Sequence, residues 1–228
     1  IASVLAHEVR NPLSSINGAT QLLRGSISED DQDLLDVIVE ESKRIEKLIG
    51  AFEEVGGEGR RELCPVNIHK ILDNVRRSAQ AGYAQGIKIE INFDPSLPRV
   101  MCDEDEMIRA IHNLIKNAAE AIRTHHVNQI ERGKILLSTR FRPGVRKEGS
   151  AQSIEISIHD NGGGIPVSIR KDIFTPFVTS KKLGTGLGLS VVASAIESIG
   201  GAINFENKGE GTLVRIFAQQ EKTVRGNY

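Results

Sequence analysis

Asp160-Asn161-Gly162-Gly163-Gly164 and, twenty residues later, Gly184-Thr185-Gly186-Leu187-Gly188-Leu189 are the stretches on which the fold of this chain turns. Glycine concentrates where a backbone must come close to a ligand or take a positive φ. The second cluster runs into Ser190 to Ile196, a helical pattern closed by Gly200-Gly201. It therefore sets a helix start, with its outward N–H groups and positive dipole end, where phosphate is favoured. No Gly-Lys-Ser/Thr follows and no strand leads directly into Gly184, so neither a P-loop nor a dinucleotide fingerprint fits.

Upstream, Asn113 and Asn117 stand four apart in a helical stretch, so their amides share one face with Lys116 beside them. Leu114, Ala118 and Ala121 suit the opposite, packing face. An amide oxygen is a hard, neutral ligand suited to Mg²⁺, which prefers a few protein oxygens plus waters and phosphates. Asp160 ends an alternating strand, where one carboxylate can accept from an exocyclic amine and tell adenine from guanine. Each feature has a plain explanation alone: Asp-Asn-Gly is a turn signal, and helical Asn pairs are commonly just exposed. Their convergence is what reads as a pocket for a Mg-nucleotide.

Two halves with different periods surround this pocket. Ala2, Leu5, Val9, Leu13, Ile16 and Leu23 keep one face of a helix, and after a polar break at Gly25 to Asp33, Leu34, Ile38, Ile45, Leu48, Phe52 and Val55 step by fours and threes. This is a helical hairpin whose stripe is too continuous for either helix to bury alone, so a second copy is expected to complete a dimeric four-helix bundle. Glu41 interrupts the stripe at a position expected to face inward, and Pro12 is expected to kink the first helix. Gly56-Gly57-Glu58-Gly59-Arg60-Arg61-Glu62 then ends all periodicity and reads as a linker. The expected division is a hairpin over 1–58, a second domain over 63–220 and a solvated tail over 221–228.

In the second half, helices are expected over Ile68 to Ala81 and about Asp103 to Thr124. Strands are expected at Ile87 to Phe93, Ile135 to Thr139, Ile154 to His159, Ala202 to Glu206 and Thr212 to Ala218. That mixed order predicts an α+β two-layer domain with helices on one sheet face. Arg142 to Gln152 reads as a polar hairpin loop.

Balanced charge, 29 Lys+Arg against 30 Asp+Glu, offers no electrostatic case for nucleic acid or an anionic membrane. No apolar run approaches a bilayer span and no signal peptide opens the chain, so a cytoplasmic location is expected. Cys64 and Cys102 lie in unrelated segments without metal-ligand spacing, so they read as structural, reduced thiols. The chain opens inside a helical pattern at Ile1-Ala2-Ser3-Val4-Leu5, which reads as a fragment whose upstream part is missing.

In a heptad frame with Ala2, Val9, Ile16 and Leu23 on the seam, His7 falls on the opposite, solvent side. Glu8 can orient an imidazole there and take its proton. Asn11, four residues on from His7, projects an amide able to hold a water over the same face. His7 is thus a candidate nucleophile for phosphoryl transfer.

Here the chain resembles a known family. His7-Glu8-Val9-Arg10-Asn11-Pro12-Leu13 resembles the H box of sensor histidine kinases, and Asn113-Leu114-Ile115-Lys116-Asn117-Ala118 resembles their N box. Asp160 to Gly164 resembles the G1 box, Phe174-Thr175-Pro176-Phe177 the F box and Gly184 to Gly188 the G2 box. Ala6-His7-Glu8, Asn17-Gly18-Ala19-Thr20-Gln21-Leu22-Leu23 and Phe174 to Lys181 are most similar to the nitrogen-regulation kinases of the NtrB type.

The resemblance implies a histidine-phosphotransfer and dimerisation hairpin joined to a Bergerat-type (GHKL) α/β sandwich that binds ATP. It implies that Asn117 binds Mg²⁺, that Asn113 and Lys116 meet the phosphates, and that Asp160 reads the adenine amine, with Gly162, Gly164 and Ile165 against the base. Pro166 to Gly184 would form a mobile lid with Thr179, Ser180 and Lys181 near its phosphate end, and Gly184, Thr185, Gly186, Leu187 and Gly188 would complete the nucleotide site. His7 would attack the γ-phosphate with Glu8 as base or orienting partner, then pass the phosphoryl group to an aspartate of a response-regulator receiver domain. Glu8-x-x-Asn11 resembles the family's phosphatase motif, with Asn11 positioning water. An NtrC-type regulator and a PII signalling protein are the implied partners.

The same residues admit two rival readings. In chaperone, topoisomerase and mismatch-repair ATPases of the same fold a Glu four residues before the Mg-binding Asn activates water, but here that position is Asn113, which cannot act as a base. A non-catalytic dimeric scaffold is the other, and nucleotide binding separates it from the kinase.

Overall fold

A computed structural model of the chain describes residues 2–26, 28–56, 62–141, 152–181 and 184–219. It divides into two compact units, Ile1–Gly59 with Pro176–Leu187, and Arg60–Thr175 with Gly188–Tyr228.

The stepped apolar pattern of the first half gives two packed helices, α1 (Ala2–Leu23) and α2 (Glu29–Gly56). Leu13 and Thr20 are buried seven apart on α1, as are Leu35 and Ser42 on α2, so a strict heptad row runs down each helix. A second row stays open: Val9, Ile16 and Leu23 on α1 are 41%, 42% and 50% exposed, and Leu34, Ile38 and Ile45 on α2 are also exposed. Glu41 corrects the expectation that it faces inward: it is exposed and paired with Arg44 at 3.2 Å, while the next residue, Ser42, occupies the buried position. Asn17 Nδ2 donates to Glu46 Oε1 at 3.0 Å across the hairpin, and Asn17 Oδ1 is sealed from solvent.

α1 runs through Pro12 without interruption. Pro12 has no N–H for the carbonyl four residues back, that of Glu8. Ser14 and Ser15 turn their hydroxyls onto the carbonyls of Arg10 and Asn11 at 3.0 and 3.2 Å, the back-bonding that eases a local bend. The side chain of His7, including its expected solvent-side placement, lies outside the described residues.

The second unit follows from alternation and helical spacing as expected, with additions. β1 (Cys64–Val66) leads into α3 (Ile68–Ala81), followed by β2 (Lys88–Asn92), β3 (Val100–Cys102) and α4 (Glu104–His125). A 3-10 turn (Ile130–Arg132), β4 (Lys134–Phe141), β5 (Gln152–Asp160), α5 (Gly188–Ser198), β6 (Ala202–Lys208) and β7 (Gly211–Gln219) complete it. The main sheet has the order β2-β4-β5-β7-β6, with β2 parallel to β4 and the other pairs antiparallel. β1 and β3 form a separate antiparallel pair. Of the loop expected over Arg142 to Gln152, Gln152 instead opens β5, and 142–151 lie outside the described residues.

Alternation in β4 and β5 sends Ile135, Leu137, Ile154, Ile156 and Ile158 to one face, where α3, α4 and α5 cover them. α3 contributes Ile68, Ile71, Leu72, Val75 and Ala79, and α4 contributes Met107, Ile111, Leu114, Ile115, Ala118 and Ile122, each a stripe of 3.6 periodicity. The other sheet face holds Leu136, Ser138, Ser157 and Leu213 around a cavity of about 520 Å³, crossed by Arg215 paired to Glu206 at 2.9 Å. On the edge strand β2, Ile89 is buried whereas Ile91 is 50% exposed.

Candidate functional site

The site is built on α4. Asp103 caps this helix by accepting from the Glu106 N–H at 3.0 Å, and Glu104, Asp105 and Glu106 fill the first turn where the dipole favours acids. Because the buried stripe takes Leu114, Ile115, Ala118 and Ala119, the helix leaves Asn113, Lys116 and Asn117 at its margin, with the two Asn half-buried and Lys116 exposed.

The first glycine cluster and Gly188, at the start of α5, meet this helix at different levels. A Cβ on Gly162 would stand 2.7 Å from both the Ala121 Cβ and the Ile122 backbone N, so the first turn presses directly on α4 beyond Asn117. A Cβ on Gly188 would stand 3.3 Å from Asn113 Oδ1, so α5 begins beside Asn113. Asn113 and Ala121 are two helical turns apart, about 12 Å. Gly162 and Gly188 therefore bracket the Asn113–Asn117 face, a cradle closed to any side chain at Gly162.

Asp160 closes one end. It is 6% exposed, and Gly162 N–H and Thr212 N–H both donate to its Oδ1, at 2.7 and 3.4 Å. Oδ2 is neither bonded nor sealed among the described residues, so it is the oxygen left for a ligand donor. Burial pushes the Asp160 carboxyl above the usual carboxylate range, against the pull of those two N–H groups.

Sequence reasoning missed the residues that hold the first glycine turn. The turn from β6 into β7 lies over it: Gly163 N–H donates to Glu210 O at 2.6 Å, and the Asn207 side chain clamps Ile165 at both ends. Ile165 N–H donates to Asn207 Oδ1 at 2.9 Å, and Asn207 Nδ2 donates to Ile165 O at 3.1 Å. Gly163 and Gly164 carry φ of +86° and +79°, which L side chains rarely adopt. A Cβ on Gly211 would come within 2 Å of the backbone carbonyl oxygen of Asp160, so that glycine lets β7 pass the end of β5. From the other side Asn161 Nδ2 donates to Arg132 O at 2.9 Å and its Oδ1 accepts from Lys134 N–H at 2.8 Å. In the sequence Asn207 is only a polar residue near a Gly-Glu-Gly turn, and nothing there ties it to Ile165, 42 residues earlier.

Phe174 packs edge-on against Phe205 of β6, ring centroids 5.2 Å apart. The segment from Pro176 to Leu187 belongs to the other compact unit and stands by itself. Within it Phe177 N–H donates to Gly186 O at 3.1 Å, and a Cβ on Gly186 would stand 2.4 Å from the Phe177 carbonyl carbon. Thr179 Oγ1 accepts from Lys181 N–H at 3.1 Å, Thr185 Oγ1 accepts from Leu187 N–H at 3.4 Å, and Gly184 N–H donates to Lys181 O at 3.1 Å. Thr179 and Ser180 are exposed and Leu187 is buried. On or against α4 stand Asn113, Lys116, Asn117, Gly162 and Gly188; Asp160, Gly164 and Ile165 belong to the turn that carries Gly162, and Thr179 to Leu187 lie in the other unit. Glu8 and Asn11 are exposed on α1, in the other unit. Among the described residues no three His, Cys, Asp or Glu side chains could hold a metal together, and no helix is long and apolar enough to cross a membrane.

Residues 102–222 match the family model of the histidine kinase-, DNA gyrase B-, and HSP90-like ATPases, and residues 1–55 match the His Kinase A (phospho-acceptor) domain. The sensory histidine kinase/phosphatase NtrB of Rhizobium meliloti is 40% identical over 228 residues, covering 97% of this chain and 58% of the relative. This chain therefore spans less than two thirds of the curated relatives it matches. Among solved structures, the nucleotide-free catalytic domain of histidine kinase ThkA is 27% identical with a TM-score of 0.56, covering 70% of this chain and 96% of that one. Full-length ShkA in complex with AMPPNP shares the fold at a TM-score of 0.67 and 24% identity, over 98% of this chain and 47% of that one.

Proposed function

The chain belongs to the histidine kinase-, DNA gyrase B- and HSP90-like ATPases, joined to a His Kinase A phospho-acceptor hairpin, and on that premise we propose that it is the kinase core of an NtrB-type sensor. In this reading it phosphorylates His7 from Mg-ATP, passes the phosphoryl group to an aspartate of an NtrC-like receiver domain, and dephosphorylates that regulator. A PII signalling protein is the upstream input, the site of action is the cytoplasm, and the hairpin of 1–58 dimerises ahead of the nucleotide domain of 63–220. The observation that carries the reading is the Asn113–Asn117 face bracketed by Gly162 and Gly188 with Asp160 at one end, in a chain that also carries a phospho-acceptor hairpin.

The residues fit ATP. Asp160 Oδ2 is an acceptor for an exocyclic amine, and Gly162, Gly164 and Ile165 present backbone where a base lies flat. Gly188 and the start of α5 supply N–H groups for phosphate, with Asn113, Lys116 and the segment Thr179 to Leu187 as further phosphate donors. Asn117 offers one neutral oxygen to Mg²⁺, which takes its remaining ligands from waters and phosphates. When bound, the ion supplies charge neutralisation on the transferring group. Glu8 orients His7 and removes its proton, a contribution of about 10²- to 10⁴-fold. Asn11 holds a water for regulator dephosphorylation.

Incubation with Mg²⁺ and γ-labelled ATP beside His7→Gln tests this. A label stable to alkali, lost in acid and absent from the variant is expected; a label that survives His7→Gln overturns the assignment. Asn11→Ala is expected to lose phosphatase activity while keeping autophosphorylation, and the reverse outcome contradicts its role.

A further inference from the structure

Cys64 and Cys102 lie 38 residues apart in the sequence, yet the structure sets them directly opposite one another. β1 and β3 pair antiparallel with Cys64 against Cys102, Pro65 against Met101 and Val66 against Val100. In such a ladder alternate residues share a face. Cys64, Val66, Val100 and Cys102 are on the inner face, where Val66, Val100 and Cys102 are buried and Cys64 packs against the same core. Pro65 is exposed on the outer face. Both thiols are reduced, and Cys64 Sγ lies 3.7 Å from Cys102 O, so it is aimed across the pair.

Opposed residues of an antiparallel pair have Cα atoms about 4.5–5.5 Å apart, within the range of roughly 4.4–6.8 Å that a disulfide spans. We propose that Cys64 and Cys102 are a disulfide-forming dithiol, a modification site that reacts with low-molecular-weight disulfides and staples the first strand of the nucleotide-binding unit to β3.

The half-buried Cys64 is the entry thiol, since Cys102 is 1% exposed. Its thiolate attacks one sulfur of oxidised glutathione, forming a mixed disulfide and releasing one glutathione thiolate. Cys102, as thiolate, then attacks the Cys64 sulfur, forming the internal bond and releasing the second glutathione. Two protein thiols are oxidised, one small disulfide is reduced to two thiols, and the two protons end on glutathione. Burial, the Cys64 thiol, Asp103 and Glu104 push Cys102 up to about 12, which makes the second step slow near neutrality and faster as pH rises. The bond would tie down β1, a strand of three residues that follows directly on the linker region.

The test is oxidation of the full chain with oxidised glutathione at pH 7.5 and about pH 9, read by intact mass and by peptide mapping without reductant. Expected is an internal Cys64–Cys102 bond, seen as loss of two hydrogens, formed faster at the higher pH, with the thermal midpoint raised by roughly 5–10 °C. Cys102→Ser should stop at a stable glutathione adduct on Cys64, and Cys64→Ser should leave Cys102 unmodified. A wild-type chain that stays fully reduced, halts at the Cys64 adduct or links only to other chains overturns the proposal. Circular dichroism of the reduced Ser variants, expected to match wild type, separates lost chemistry from lost folding. Because the readout is covalent, the outcome is independent of kinase activity.

Discussion

The two units handle their apolar surface in opposite ways. The nucleotide-binding unit seals Leu72, Ala110, Ile111, Ile115, Ile122, Ile135 and Leu137 completely, each at 0% exposure. The hairpin buries one heptad row and leaves Val9, Ile16, Leu23, Leu34, Ile38 and Ile45 open. One is a finished core and the other half of one. Five strands and three helices can close over each other within a chain, whereas two helices have a second long face with nothing to cover it. The open row of the hairpin is the surface that the proposed second copy would cover.

The largest expected effect breaks that contrast at the open row. Ile16→Asp should barely alter the monomer, where this side chain is already 42% exposed, yet should abolish dimer formation, because two carboxylates would be buried per dimer at a cost of several kcal/mol. Sedimentation of the full chain reads it, and a dimer that persists shows the open row is not the interface. Ile111→Ala should do the reverse, costing about 2–5 kcal/mol of the nucleotide unit's stability while dimerisation survives. Denaturant unfolding followed separately in each unit checks it.

Next is the site. Asp160→Asn should weaken ATP binding by about 2–3 kcal/mol, since an amide that keeps its oxygen toward Gly162 N–H turns a donor toward the adenine amine. In the wild type, affinity should fall as pH drops through the raised Asp160 pKa, because the ionised carboxylate is the acceptor, and Asp160→Asn should flatten that dependence. For folding the sign is opposite: the native state holds this proton more tightly than the unfolded chain, so the burden of the buried charge is relieved as pH falls through the native value. Asn207→Ala, which frees Ile165, should raise KM for ATP with little change in kcat, about tenfold.

The smallest effect concerns a helix end. Asp103→Ala should cost about 1 kcal/mol by leaving the α4 N-terminus uncapped. Bonds from the Glu106 and Glu62 N–H groups hold this carboxyl below its usual range. Its contribution is therefore present above the unfolded value near pH 4 and lost as pH falls through the lower native one. Thermal melts of wild type and Asp103→Ala across about pH 2.5–7 measure it, and identical curves would remove the cap's contribution.

How legible all this was depended on whether the signal was local. α3 was readable to its ends because Ile68, Ile71, Leu72, Val75 and Ala79 repeat within one segment, and α4 to within a residue at each end for the same reason. β4 to β7 were readable from alternation. β1 and β3 were not: each has three residues, too few to show a period, and Pro65 argues against a strand until its edge position is known. Glu41 was misplaced because one heptad row was assumed where the hairpin carries two.

The sequence by itself determined the spacing of Asn113 and Asn117, the glycines that leave room for a ligand, and the amphipathic rows, because each rests on residues within a turn or two of one another. Only the tertiary structure decided which oxygen of Asp160 stays open, that Asn207 and Gly211 shape the glycine turn, and that Cys64 faces Cys102. Those are contacts between segments 38 to 52 residues apart, fixed by strand register and sheet order, quantities that no local period encodes.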